Sequence, residues 1–371
     1  MKSLKAFAEK IWEDRLMRLK LAIAVGAFSA ALFAAGVAKA EGVELLPNGM
    51  LSPSSKELTP ADKFKKAAPW RIGVSWPGVG NTWLVQTINE MKYEASLHKE
   101  ISEFIFTDAD WKTTKQVADI EDLLAKKVDA LIIAPIAGPV VADQVAKAKA
   151  MGIPVVIFET GRVNTAGDTQ ISAGGEVFGQ QGGEFIKKVL NGKGSIWAFR
   201  GIAGVDEEQA RYDGFRKGIE GSDIKISAEE FGDWNYAKAK GLCENLALSG
   251  KPVDAIWFSG ADMTRACIDV FKQLGKPLVP MTGEANNGFF RAWHNSGIES
   301  VAPIFTPGLG PSTVRAAVAL LEGKQVYKSY FSEPAPILKD TLDKYYRADL
   351  NDAYWVPSTM PEAKIMDMYK K

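Results

Sequence analysis

Val128-Asp129-Ala130-Leu131-Ile132 comes back later in the chain as Val253-Asp254-Ala255-Ile256-Trp257. Gly152-Ile153-Pro154-Val155-Val156 follows the first block and Gly275-Lys276-Pro277-Leu278-Val279 follows the second. Each copy then reaches a carboxylate, Glu159 and Glu284. Short apolar, β-branched runs bounded by turn residues read as buried strands. Their return in the same order reads as two similar lobes rather than one long domain.

Working outward from these blocks, strands alternate with stretches of helical period. Arg71–Trp76, Glu103–Thr107, Asp129–Ala134 and Pro154–Glu159 form a first set of strands, with starts 32, 26 and 25 residues apart. Between them Leu84, Ile88, Met91 and Ala95 make one apolar helix face, Val117, Ile120 and Leu124 a second, and Val141, Val145 and Ala148 a third. Ser195–Phe199, Ile224–Ala228, Val253–Phe258 and Pro277–Met281 form a second set, the last of them interrupted by Pro280. This βαβ spacing predicts an α/β fold of two Rossmann-like lobes, each with a parallel sheet covered on both faces. Ligands of such open sheets bind beyond the carboxyl ends of the strands, so two facing lobes would make a cleft lined by strand-end loops.

The chain has 371 residues, with 45 Lys+Arg, 45 Asp+Glu, two His and two Cys. That length suits two domains. A hydrophobic content of 46% and a charged content of 24% exclude general disorder, a collagen-like chain and a polytopic membrane protein. The absence of a basic surplus argues against nucleic-acid binding. So few Cys and His exclude a disulfide framework, leave little for His-based catalysis, and call for no metal or cofactor. His98 and His294 lie in polar helical settings and read as surface residues.

Residues 1–40 read as a secretory signal peptide. Arg15, Arg18 and Lys20 precede an apolar run from Leu21 to Val37, and Ala38-Lys39-Ala40 supplies the cleavage pattern. The alternative is a membrane anchor, against which the short Ala- and Gly-rich run and the cleavage pattern argue. Met17, followed by basic residues, would by itself start a typical short signal. Without residues 1–40 the chain keeps 38 basic and 42 acidic residues, so the exported form is mildly acidic. Export brings Cys243 and Cys267 into an oxidising compartment. They lie on apolar helix faces and are expected as two buried thiols, with a disulfide as the alternative. Glu41–Ala68, with Pro47, Pro53 and Pro60, lacks apolar periodicity and reads as an extended leader.

Several segments, in order from Ile72 to Gly323, resemble the periplasmic sugar-binding proteins of ABC importers, in particular the ribose-binding-like branch. They are Ile72-Gly73-Val74-Ser75 leading to Asn81-Thr82-Trp83; Ile120-Glu121-Asp122-Leu123 before Val128–Pro135; Gly152–Val156; and Ala210-Arg211-Tyr212-Asp213-Gly214-Phe215. The resemblance implies a type I periplasmic binding fold whose chain crosses the hinge near Ile171–Gly174, Ala302–Thr306 and Val326–Phe331. It implies lobes of 69–172 with 305–327, and of 173–304 with 328–371. It also implies a monomeric receptor in the periplasm, without stable membrane insertion. That receptor closes on a sugar or polyol and presents it to a permease and its ATPase, with no chemistry on the ligand.

The same resemblance places Asn81 and Trp83 on the first ligand loop, Arg211 in the cleft, and Glu159 and Glu284 where the family carries Asp. An amide can bond a hydroxyl pair, an indole can cover the C–H side of a sugar, and a guanidinium or carboxylate makes the stronger charge-assisted bonds. Arg211 could instead pair with Glu207 or Glu208 one turn away, and Asn81 could cap a helix. Trp234 is a stacking candidate from the opposite lobe, with Asn235 as its polar companion or a helix cap. Thr160, Asp262, Trp76 and Trp111 complete the candidate set; Phe305 is weaker, and Trp257 reads as core. Ala134, Gly260, Ala261 and Ile304 or Phe305 stand where ribose binders carry polar ligand contacts, which implies a less polar pocket and argues against ribose itself. Asp262 could recover one such contact or cap a helix over Met263–Leu274.

Three rival readings remain. Gly78-Val79-Gly80-Asn81-Thr82-Trp83 approaches a dinucleotide-binding fingerprint, but Trp83 replaces its third Gly. Two carboxylates at related strand ends suggest a glycosidase pair, which ligand binding explains equally. A receptor for chemotaxis or quorum sensing would share the fold.

Overall fold

The computed structural model describes residues 42–46, 51–159 and 167–371, so the signal-peptide reading lies outside the described residues. Strands β1 (Ser52–Pro53), β2 (Trp70–Trp76), β3 (Ile101–Asp108), β4 (Ala130–Ile133), β5 (Val155–Glu159), β6 (Thr169–Ser172) and β12 (Ser329–Phe331) form one sheet. Its order is β1-β12-β6-β5-β4-β2-β3, parallel except for β1. Strands β7 (Lys193–Arg200), β8 (Asp223–Phe231), β9 (Ala255–Phe258), β10 (Met281–Thr282) and β11 (Ser300–Val301) form the other, in the order β11-β10-β9-β7-β8 and all parallel. Helices α1 (Thr82–Ser96), α2 (Thr113–Ala125), α3 (Gly138–Ala150), α4 (Gly175–Val189), α5 (Asp206–Gly218), α6 (Tyr236–Leu248), α7 (Ala261–Gln273), α8 (Asn287–Ser296) and α9 (Leu309–Leu321) connect the strands, and α10 (Glu362–Tyr369) lies near the C-terminus.

Both predicted sets of strands form. β4 and β9 are buried on both sides, which is why they read as unbroken apolar runs instead of alternating ones. Leu84, Ile88, Met91 and Ala95 all point into the core from α1. On α2 the buried face is shifted: Gln116 takes the place expected of half-buried Val117, donating to the Ala134 carbonyl and accepting from the Ile136 amide. β10 keeps only two residues, because Pro280 has no N–H and contributes its carbonyl to Ile256 instead.

Three expectations are corrected. The leader is not merely extended: Leu45, Leu46, Leu51 and Phe64 are buried, and β1 pairs with Tyr330 and Phe331. Its apolar residues are too sparse for a period, but tertiary pairing orders them. The last crossing runs further than expected, because Ser329–Phe331 adds a strand to the first sheet beside β6. Finally, Cys243 and Cys267 form a disulfide, with Cα atoms 5.6 Å apart. Both are fully buried on the facing stripes of α6 and α7, which brings their backbones within a disulfide's reach.

The disulfide closes a loop with a sequence separation of 24. Replacing both cysteines with alanine is expected to lower the unfolding free energy by about 3 kcal/mol. Urea titration of the wild type and the double variant checks this; coincident curves would refute it.

Candidate ligand-binding site

Within each lobe the sheet runs second, first, third, fourth, fifth strand: β3-β2-β4-β5-β6 and β8-β7-β9-β10-β11. In that order the chain departs in opposite directions after the first and third strands, opening a crevice at their carboxyl ends. One cavity lies between the two crevices. Trp76, Asn81, Trp83, Trp111 and Phe158 line it from the first lobe. Glu207, Arg211, Trp234, Asp262 and Glu284 line it from the second. Phe305, on a crossing segment, and Trp355, in the C-terminal segment, complete the wall.

Arg211 is the buried charge at its centre. Its Nε donates to Glu207 Oε1 at 2.5 Å, and one terminal nitrogen donates to the Ser259 carbonyl at 2.7 Å and to Glu284 Oε1 at 3.1 Å. The guanidinium carbon lies 3.9 Å from the Phe178 ring centre and 4.5 Å from that of Phe305. Glu208 is not a partner of Arg211; it binds Arg200. Arg211 is thus paired with Glu207 in the interior and at the same time lines the cavity. Glu207 Oε2 is buried and has no hydrogen-bond partner, while Glu284 Oε2 accepts weakly from the Ala261 amide at 3.4 Å.

The aromatic walls are built by a repeated corner. Trp111 follows β3 and Trp234 follows β8, each preceded by Asp, and all four residues have left-handed backbone angles: Asp110 φ 52, Trp111 φ 57, Asp233 φ 56, Trp234 φ 52. Non-glycine residues adopt that region at a cost, and such strain concentrates at functional sites. Each indole rests on a glycine at the end of its lobe's first strand, Gly78 under Trp111 and Gly201 under Trp234, where a Cβ would collide with the ring. The two rings approach to 6.4 Å between centroids from opposite lobes. Trp234 Nε1 donates to the Ser259 carbonyl at 2.9 Å.

Eight sequence-selected residues meet in this cavity: Trp76, Asn81, Trp83, Trp111, Arg211, Trp234, Asp262 and Glu284. Thr160 lies outside the described residues, and Glu159 is placed only as the end of β5. Several expected roles change. The Trp83 N–H is committed to the Phe305 carbonyl at 2.7 Å, so the ring but not its N–H faces the site. Asn81 does cap α1, its Oδ1 accepting from the Leu84 amide at 2.9 Å, and Asn235 caps α6 in the same way. Asp262 lies in the first turn of α7 and pairs with Arg265 at 3.2 Å; the N-cap itself is Gly260. His98 is half-buried and bonded to Glu94, not a free surface residue. Glu207 and Trp355 were missed as site residues. The Asp110-Trp111 and Asp233-Trp234 pairs were a signal for the corner that went unread.

The family described as "Periplasmic binding protein domain" matches residues 72–325. The ribose import binding protein of Bacillus subtilis is 23% identical over 258 residues, 70% of this chain and 84% of that protein. A xylitol-binding protein of Mycolicibacterium smegmatis is 28% identical over 188 residues, 49% of this chain and 52% of that protein. Among solved structures, a solute-binding protein of a Bacillus halodurans ABC transporter with bound myo-inositol superposes with a TM-score of 0.67 at 23% identity, covering 76% of this chain and 98% of that one.

The acids of the site share one electrostatic condition. Burial pushes the Glu207 carboxyl up to about 8 against the opposing pull of Arg211, and Glu284 and Glu208 push the same way. Burial also raises Glu284, with Arg211 opposing, and Asp262, with Arg265 opposing. A carboxyl raised on folding holds a proton that the unfolded chain releases, so stability falls as pH rises from about 4.5 to about 8. Glu207→Gln is expected to flatten the fall in Tm between pH 5 and 8, leaving a residual slope of the same sign from Glu284 and Asp262. Melting curves across that range check this; an unchanged slope would refute it.

Proposed function

The chain belongs to the periplasmic binding protein family, and on that premise we propose that it captures a sugar or polyol between its lobes and delivers it to an ABC importer. The observation that carries this reading is the pairing of flat indoles from opposite lobes with a buried cluster of Arg211, Glu207 and Glu284. Sugars have the matching chemistry, an apolar C–H face and a rim of hydroxyls. Trp111 and Trp234, tilted against each other, would together cover one C–H face of the ring. Arg211, Glu284 and the Nδ2 of Asn81 would bond hydroxyls, and the unpartnered Glu207 Oε2 would gain the partner that it lacks. Trp76 Nε1, also buried and unpartnered, offers one more donor. Glu159, Thr160 and Asp262 are further contacts of the same proposal.

No step of bond making is needed. Both lobes contribute walls, so a ligand touches all of them only when the lobes are together, and its binding shifts the molecule toward the closed arrangement. The closed form is then what the permease and its ATPase would recognise, after export through the signal in residues 1–40.

Thermal-shift screening of the mature protein against monosaccharides and polyols is expected to find at least one stabilising ligand; a panel without any would overturn the ligand class. Trp234→Ala is expected to weaken that ligand about 10-fold or more, the effect of truncating an aromatic anchor. Fluorescence titration measures it, and an unchanged Kd would remove Trp234 from the site.

A further inference from the structure

Away from the C-terminal segment, Asp206 of the second lobe exchanges two hydrogen bonds with the first lobe outside the cavity. The Gly138 amide donates to Asp206 Oδ2 at 3.0 Å. The Asp206 amide donates back to the Ile136 carbonyl at 3.3 Å. Ile136 and Gly138 belong to the first lobe, following β4 and opening α3; Asp206 opens α5 in the second. Neither helix is capped by the side chain of its own N-cap residue, Ala137 or Val205. Pro139 follows with no N–H, so Gly138 carries the leading donor of α3. One carboxylate therefore stands at the positive ends of two helices that face each other across the cleft. Beside it, Ala109, Ile136 and Val205 form a small apolar cluster of their own, separate from the main cores of both lobes. Trp111 and Ile202 pack against it.

We propose that Asp206 is a positioning residue that clasps the lobes shut and so sets how long a ligand stays bound. It lines no part of the cavity. The bond to Gly138 exists only while the lobes are together, because on opening the amide and the carboxylate return to water. A contact made only in the closed arrangement raises the closed population. Ligand enters through the open form and leaves after the clasp has parted, so the contact slows release, and by closing some of the unliganded molecules it slows entry too, by a smaller factor. The kinetic part of this inference rests on the binding reading above; the clasp itself does not.

The test uses the mature protein and two variants. With a stabilising ligand from the panel in hand, stopped-flow measurement on Asp206→Ala is expected to show koff raised about 10-fold, the effect of losing one hydrogen bond to a charged group, with kon raised by a smaller factor. Asp206→Asn, whose amide oxygen can still accept from Gly138, is expected to restore part of the wild-type koff. A merely structural role would instead lower the Tm of the unliganded protein and leave koff as it was. An unchanged koff in Asp206→Ala overturns the clasp. A panel in which the wild type binds nothing overturns the ligand reading alone, and small-angle scattering of the unliganded proteins then decides. A larger radius of gyration for Asp206→Ala than for wild type supports the clasp, and superimposable profiles overturn it.

Discussion

The burial of one guanidinium governs the centre of this molecule. A charge as deep as that of Arg211 is tolerable only when paired and fully bonded. Each of its partners fixes a different piece of chain: Glu207 the first turn of α5, Glu284 the loop after β10, Ser259 the residue after β9. The rings of Phe178 and Phe305 add the α4 helix and a crossing segment. Phe305 in turn accepts from Trp83, and Ser259 accepts from Trp234 as well as from Arg211. A continuous line from Trp83 through Phe305, Arg211 and Ser259 to Trp234 thus ties the stacking face of one lobe to that of the other.

That line also explains the electrostatic surplus. One guanidinium faces two carboxylates, and burial disfavours their charge. The cluster is consequently over-supplied with acceptors. In a closed, unliganded cavity that surplus is a cost, and in a cavity filled by hydroxyls it becomes binding capacity.

The two lobes repeat a sheet order, and with it a way of presenting an indole. The left-handed Asp-Trp corner and the glycine beneath its ring occur at matching places in both. Matching places do not carry matching chemistry, however. β9 is followed by Ser259, whose carbonyl and hydroxyl both accept from Trp234, whereas β4 is followed by apolar Ala134. The first lobe therefore supplies mainly flat surface and the second mainly polar contacts, so a shared scaffold yields a site with distinct sides.

How much of this could be read from the sequence follows from what each feature depends on. The strands, the two lobes and the cleft between them depend on local apolar patterning and on connection length, which are written along the chain, and the repeated Val-Asp-Ala blocks exposed them; the order of the strands within each sheet was not read. Patterning bounded the lining to the strand-end loops, but it was the resemblance to the sugar-binding family that singled out Asn81, Trp83, Arg211 and Glu284 within them. Glu207 was read only as an i,i+4 partner of Arg211, because nothing local distinguishes a buried helical carboxylate from a solvated one. Trp355 and the Cys243–Cys267 bond depend on which segments meet in space. Trp355 reaches the cavity because its backbone bonds Gln86 and its indole bonds Thr82, both on α1 and far from it in sequence. The C-terminal segment is held in turn by Asn287, whose side-chain amide donates to the carbonyls of Arg347, Leu350 and Asn351. A single asparagine whose two side-chain N–H groups are shared among three backbone acceptors has no sequence period, yet it fixes the course of the segment that carries Trp355, and with it one wall of the site.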